Sequence, residues 1–352
     1  MRRLLIATLA PIVLAAAAQA QGAFTFQIQQ SNSNFNWSGT SSLGPIVGNP
    51  STAFQMSGTA GVTLTPAGAD PIASGTLPGT GDAAVVPDLR GKINNPFPFL
   101  PPLATIEVNG LHLSFAAPSY AIAANGAFTA DVTVTALAGT LVVTPLGSSA
   151  SSSSLAGLTS APQAQSGTLT QVGLNLQLDL PVNTTFPFAD PTTGATGTIT
   201  IVGTLRAGWT CPAATTYCTA KVNSLGCTPA IGVSGTASFS SNSACTISAS
   251  NIVAERSGLL FYGFGPSSAP FQGGFLCVQP PTIRTLIQNS GGTPGGGDCS
   301  GVFAIDFNNT IQGLSDANLY PGREVYTQYW SRDPASASTT NLTNAAKLTI
   351  CP

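Results

Sequence analysis

Between residues 172 and 181 four leucines, Leu174, Leu176, Leu178 and Leu180, alternate with Asn175, Gln177 and Asp179. A period of two puts the leucines on one face and the polar groups on the other, which is a half-buried strand and not a helix. The same beat returns in residues 198–206, with Ile199, Ile201, Gly203 and Leu205 in phase, and in residues 128–135 and 140–144. Ile106 and Val108, then Leu111, Leu113 and Phe115, flank Asn109-Gly110, a dipeptide that predicts a tight hairpin turn. Gly, Pro and Ser punctuate these runs, and helical periodicity is hard to find anywhere. One-sided alternation with frequent turns predicts an all-β chain of antiparallel sheets, a sandwich or a barrel.

The start of the chain predicts export. Met1-Arg2-Arg3 is basic, residues 4–18 are apolar apart from Thr8, and Ala18-Gln19-Ala20 is a small-x-small cleavage site. These are the three parts of a signal peptide in order (residues 1–20), and the apolar run is too short to span a bilayer comfortably. Its removal leaves 9 basic against 13 acidic side chains. Charged residues are 7% of the chain, against roughly a quarter in ordinary domains, so the surface must be Ser, Thr, Asn, Gln and Gly. With no basic patch, nucleic acid is not an expected partner. Hydrophobic residues at 43% argue against a charge-driven disordered chain. No later segment predicts a transmembrane helix.

The chain divides by its cysteines. Residues 23–206 contain none, and all seven lie from Cys211 onward. In an exported chain that pattern means bridges, and a metal site is not expected: no Cys-x-x-Cys occurs, and the single histidine, His112, lies in the other half. The expected pairing is Cys218–Cys227, which closes a short loop, with Cys277–Cys299 and Cys245–Cys351. Cys211 is then the odd residue, free or joined to another chain. The reading is therefore two antiparallel β domains: a cysteine-free sandwich or barrel (23–206), a linker (207–217) and a disulfide-supported β-sandwich (218–352).

Several strings in the last third fall in a recognisable order. They are Tyr217-Cys218, Gly226-Cys227-Thr-Pro, Ser257-Gly-Leu-Leu-Phe-Tyr-Gly263 and Pro270-Phe-Gln-Gly-Gly-Phe-Leu-Cys277. Then come Arg284-Thr-Leu-Ile-Gln-Asn289, Asp298-Cys299-Ser-Gly and the closing Leu348-Thr-Ile-Cys351-Pro352. Together, over about 218–352, they resemble a C-terminal module found at the ends of many large secreted bacterial proteins. That module has no established biochemical activity. The resemblance implies export and a modular arrangement, and adds nothing catalytic.

Within this region residues 321–334 concentrate two of the six tyrosines, one of the three tryptophans and four charges. Tyr326, Tyr329 and Trp330, with Gln328, Arg332 and Asp333, supply stacking faces beside planar hydrogen-bonding groups, the chemistry of a glycan-binding platform. The competing reading makes Tyr326 and Trp330 core and leaves Tyr329 alone exposed. Two apolar, Pro-rich stretches in the first half, around Phe97 and Phe99 and around Phe186 and Phe188, read as loops. They would close over an apolar ligand, touch lipid, or plug the end of a core.

Catalysis has little to work with. His112 sits mid-strand without a Gly-x-Ser-x-Gly elbow, and thirteen carboxylates in 352 residues give no visible pair. Asp298 and Asp316 stand in Gly- or Asn-containing loops that lack the several carboxylates of a Ca²⁺ site. The expectation is a secreted, extracellular or cell-surface protein that binds or supports without catalysis. Its partner would be a cell-envelope component or glycan, its C-terminal module would associate with the cell surface, and it would need no cofactor. The alternatives are an extracellular hydrolase using a carboxylate pair and a carrier of apolar ligands within the first domain.

Overall fold

The structure, a computed structural model, describes residues 21–189, 194–295 and 297–352, so the signal-peptide segment 1–20 lies outside the described residues. Thirteen strands form the N-terminal half: β1 (Gly22–Ile28), β2 (Asn34–Ser41), β3 (Gly44–Gly48), β4 (Ala53–Ala67), β5 (Asp70–Pro78), β6 (Gly81–Val86) and β7 (Leu89–Ile93). Then come β8 (Ala104–Ala121), β9 (Ala127–Pro145), β10 (Ser151–Ser154), β11 (Gln163–Val172), β12 (Asn175–Ala189) and β13 (Thr196–Trp209). All pair antiparallel in one sheet.

The sheet closes on itself. Near the C-terminal half of the chain the ring runs β8-β9-β11-β12-β13-β1-β4-β5 and back to β8. Towards the opposite rim the long strands β8 and β13 change neighbours, and β7, β3 and β2 complete the wall instead. At that end no ladder joins β10 to β12 among the described residues. Leu155, Leu158, Phe186 and Phe188 fill the gap between those two edges. The barrel is stable because its inward row is continuous: Phe26, Phe35, Met56, Leu113, Leu178, Leu180, Ile201 and Leu205 are buried in one cluster. Outward rows are mostly Thr, Ser, Asn and Gln, joined across strands by pairs such as Thr40–Thr198 and Thr185–Thr200, both 2.9 Å. A lipid-facing barrel wall is the inverse, apolar outside.

Three local expectations need correction. Asn109-Gly110 is no hairpin: β8 runs through it as one strand, and the register against β9 slips between Asn109 and His112. Gly110, at φ 59°, takes up the extra residue of a bulge and donates its N–H to the Asp88 carboxylate. Residues 128–135 and 140–144 are likewise parts of a single strand, β9. The Ser- and Ala-rich composition of residues 148–165 predicts a flexible connector or a long hairpin tip, but the stretch contains β10, and Ser160 is buried with its hydroxyl accepting the Val134 N–H.

Beyond Trp209 a second core forms around strands β14 (Thr215–Tyr217), β15 (Ala230–Ser234), β16 (Thr246–Ile252), β17 (Ser257–Gly263), β18 (Pro266–Phe271) and β19 (Gly274–Val278). The chain continues through β20 (Ile283–Arg284), β21 (Gln288–Asn289), β22 (Gly301–Asp306), the short helix α1 (Phe307–Gln312), β23 (Glu324–Arg332) and β24 (Thr340–Thr349). A six-stranded sheet, ordered β14-β24-β23-β17-β20 with β21 also on β17, faces the three-stranded sheet β15-β16-β22. The linker expected at 207–217 is therefore mostly strand: residues 207–209 finish β13 and residues 215–217 form β14. No helix of the described residues is long and apolar enough to cross a membrane.

Barrel and sandwich meet tightly. A Cβ on Gly22 would stand 1.8 Å from the Pro321 carbonyl oxygen, so only glycine lets β1 begin against that backbone. The Cys211 N–H donates to Asn175 Oδ1 at 3.0 Å, and Gln171 Nε2 donates to Ser240 Oγ at 3.2 Å.

The disulfides are Cys211–Cys351, Cys218–Cys277 and Cys227–Cys299, and the unpaired cysteine is the buried Cys245. None of the three expected pairs forms, and Cys211 is not the odd residue. The reason is topological. Tyr217, next to Cys218, packs with the β19 residues Leu276 and Val278, and Asn223, in the turn before Cys227, donates to Cys299 Sγ, so each cysteine meets a segment distant in sequence. Burial, aided by nearby Asp306, pushes the Cys245 thiol up to about 11, so it stays protonated and hidden at neutral pH. The native protein should give no colour with a thiol-reactive disulfide reagent. In denaturant without reductant it should release one equivalent, and Cys245→Ala should release none. An equivalent that survives Cys245→Ala would refute this pairing.

Candidate binding cleft on the C-terminal sandwich

The aromatic strand of residues 321–334 becomes β23, and it is buried on both faces because the three-stranded sheet packs on one and the β18–β19 hairpin on the other. Val325 and Tyr329 point into the sandwich core. Tyr329 is 1% exposed, stacks on Phe303 with ring centres 5.5 Å apart, and donates its hydroxyl to the Ile247 carbonyl at 3.0 Å. Burial holds its phenol well above the ordinary range. On the other face Tyr326 packs with Phe261, Val278 and Leu342. Burial, then its hydrogen bond to Glu324, pushes Tyr326 up to about 12.

The polar members of the expected platform are mostly consumed as well. Gln328, fully buried, receives the Cys277 N–H at 3.0 Å and donates to the Phe275 and Thr343 carbonyls at 3.0 and 2.7 Å. That stitches the β18–β19 hairpin onto the sheet. Asp333 is buried and accepts from the Ser224 N–H at 2.8 Å and its hydroxyl at 2.5 Å. Both faces of β23 are thus covered, and Tyr329, expected to be the exposed one, is the most deeply buried of the three aromatics. Trp330 and Arg332 alone remain at the surface, with the guanidinium 6.0 Å from the indole ring centre.

Trp330 forms one wall of a cleft of about 350 Å³, completed by Leu259, Phe271, Gln272, Leu276 and Arg284. That size suits a small-molecule or single-sugar-scale ligand. Its far lip is the two-residue turn of the β18–β19 hairpin, Gln272-Gly273, whose φ angles of 50° and 76° match the twist of a hairpin. The turn is clamped. Gln272 Oε1 accepts from Trp330 Nε1 at 3.1 Å and from Thr340 Oγ1 at 2.8 Å. The Lys221 ammonium donates to the Gln272 carbonyl at 2.9 Å, to Ser336 Oγ at 3.0 Å, to the Thr340 carbonyl at 2.6 Å and to Ser338 Oγ. The indole is thereby fixed before any ligand arrives. Arg284 is exposed and enters no ion pair or side-chain hydrogen bond among the described residues.

The other sequence candidates lie elsewhere. Phe97 and Phe99 are exposed in the loop between β7 and β8, with ring centres 5.9 Å apart. Phe186 and Phe188 are not loop residues: they alternate with outward Thr185 and Pro187 along β12 and plug the barrel gap. The void beside them is about 20 Å³, far below the roughly 300 Å³ of a small-molecule site, and lends the carrier reading no support. The carboxylates are occupied locally: Asp306 caps α1, Asp316 accepts the Tyr262 hydroxyl at 2.9 Å, and Glu324 pairs with Lys347. His112 lies 2.6 Å from Asp82 on the barrel exterior. Among the described residues no group of three or more His, Cys, Asp or Glu is placed to hold a metal ion.

Sequence reasoning missed Leu259, Phe271, Gln272, Leu276 and Arg284. One signal was available: Phe271 and Phe275 flank Gln272-Gly273-Gly274, a turn that presents aromatics at a hairpin tip. No family model, curated protein or solved structure matches the chain.

Proposed function

We propose that this is an exported, non-catalytic protein whose C-terminal sandwich associates with the cell surface by binding an acidic saccharide in the Trp330 cleft. The observation that carries the reading is the pre-set indole wall opposite an unpaired guanidinium. A sugar ring offers an apolar C–H face to stack on Trp330, and a carboxylate or phosphate on the sugar meets Arg284 in the planar geometry that guanidinium favours. Three disulfides, and a surface built from neutral polar residues, suit an oxidising extracytoplasmic setting. The resemblance of residues 218–352 to a C-terminal module of secreted bacterial proteins points the same way.

The test is a tryptophan-fluorescence and calorimetric titration of the oxidised chain with hexuronate oligosaccharides and with their neutral counterparts. Saturable binding of the acidic series is expected. Trp330→Ala should weaken it by at least about tenfold, as loss of a central aromatic anchor does. Arg284→Ala should erase the preference for acid over neutral sugar. Equal behaviour of parent and Trp330→Ala, or no saturable binding of either series, would end the reading.

A further inference from the structure

The barrel's free rim carries a second surface. β3, β7, β8 and β9 are neighbours in that order, and their rim ends fall together: Ile46 pairs with Ile93, Ile93 with Ala104, and Ala104 with Pro145. The three turns beyond those ends therefore stand side by side. Each projects apolar side chains into solvent: Leu43 from the first, Phe97, Phe99 and Leu100 from the second, Leu146 from the third. Phe99 is 81% and Phe97 59% exposed. The Leu146 N–H donates to the Leu103 carbonyl and the Leu103 N–H to the Ile93 carbonyl, both at 2.8 Å, which ties the second and third turns together. Four prolines between residues 96 and 102 stiffen the longest turn, so its phenylalanines are held outward without further ordering cost.

Charge is distributed to match. No Asp, Glu, Lys or Arg occurs in residues 38–69, 93–106 or 132–178, which include all three turns. The first charge below the tips is Lys92, one residue before Ile93, followed by Arg90 two residues further down the same strand. Neither enters an ion pair or a side-chain hydrogen bond among the described residues. Glu107 is the register partner of Arg90, whereas the partners of Lys92 are the uncharged Val47 and Thr105, so the charge nearest the tips is a lone lysine. Bare apolar tips above that lysine fit a layer that is apolar inside and anionic at its edge.

We infer that this rim docks on an anionic lipid bilayer, with Phe97, Phe99, Leu100, Leu43 and Leu146 entering the interface and Lys92 meeting the phosphodiester headgroups. The inference does not depend on the saccharide cleft, which lies on the other half of the molecule. It is tested by flotation of the full oxidised chain with phosphatidylglycerol vesicles and with phosphatidylcholine vesicles. The parent should float with the anionic vesicles and less with the zwitterionic ones. Phe97→Ser combined with Phe99→Ser should lower partitioning roughly tenfold per phenylalanine while thermal unfolding stays that of the parent. Lys92→Glu should weaken only the anionic case. Failure of the parent to float, or flotation of the double variant like the parent, overturns the inference. So would a concentration-dependent dimer, seen in sedimentation velocity and dispersed by the double variant, in a parent that ignores vesicles.

Discussion

Tyr329→Ala is expected to destabilise the protein by about 3–5 kcal/mol, the cost of emptying a large aromatic site in a packed core. The side chain is 1% exposed, stacked on Phe303, and placed where the six-stranded and three-stranded sheets face each other. Neither sheet can close the void without breaking its own ladder, so little of the loss is recovered by relaxation. Tyr329→Phe separates the two contributions: it keeps the stacking and leaves the Ile247 carbonyl without the phenolic donor, at about 1 kcal/mol. Urea unfolding followed by far-ultraviolet circular dichroism measures both. A cost for Tyr329→Ala below about 1 kcal/mol would show that the strand is not buried on both faces.

The second large effect concerns the bridge from Cys211 to Cys351, which are separated by 140 residues. Closing so long a loop restricts the unfolded chain strongly, and the chain-entropy account puts the stabilisation at about 4–5 kcal/mol. Replacing both cysteines by alanine should therefore lower the unfolding midpoint of the sandwich. It should also change where the chain is cut, because the bridge anchors residues 210–214, the only non-strand segment between β13 and β14. Limited proteolysis is expected to nick the variant between Trp209 and Thr215 under conditions that leave the parent whole. If parent and variant show the same cleavage pattern and midpoint, the bridge does not hold the junction.

Much of the fold could be read in the residues because burial and period agree in it. The leucines at 176, 178 and 180 turn inward, Asn175 and its neighbours face out, and the all-β class follows. Where the readings failed, the deciding quantity was non-local. Asn109-Gly110 has the chemistry of a hairpin turn, yet Gly110 serves equally in a bulge, and the neighbouring ladder with β9 decides between them. Disulfide partners are set by which strands the sandwich brings side by side, so sequence spacing carried no information about them. The aromatic strand misled for a related reason. Alternation reports a strand with two unlike faces, but β23 has the β15-β16-β22 sheet on one side and the β18–β19 hairpin on the other. The cleft residues come from β17, β18, β19, β20, β23 and the β18–β19 turn, and only the fold assembles them.

The length of β13 sets a vertical scale. Its 14 residues run from the lipid-facing rim to the junction at Trp209, which at about 3.3 Å per residue and a tilt near 40° gives a height of about 35 Å. Trp330 lies six residues beyond Glu324, the end of β23 nearest the barrel. A molecule standing on its loop tips would hold the indole several screening lengths above the headgroups, since the membrane's field decays within about 8 Å in physiological salt. The barrel then acts as a pedestal: it places the saccharide cleft outside the electrostatic reach of the surface that anchors it.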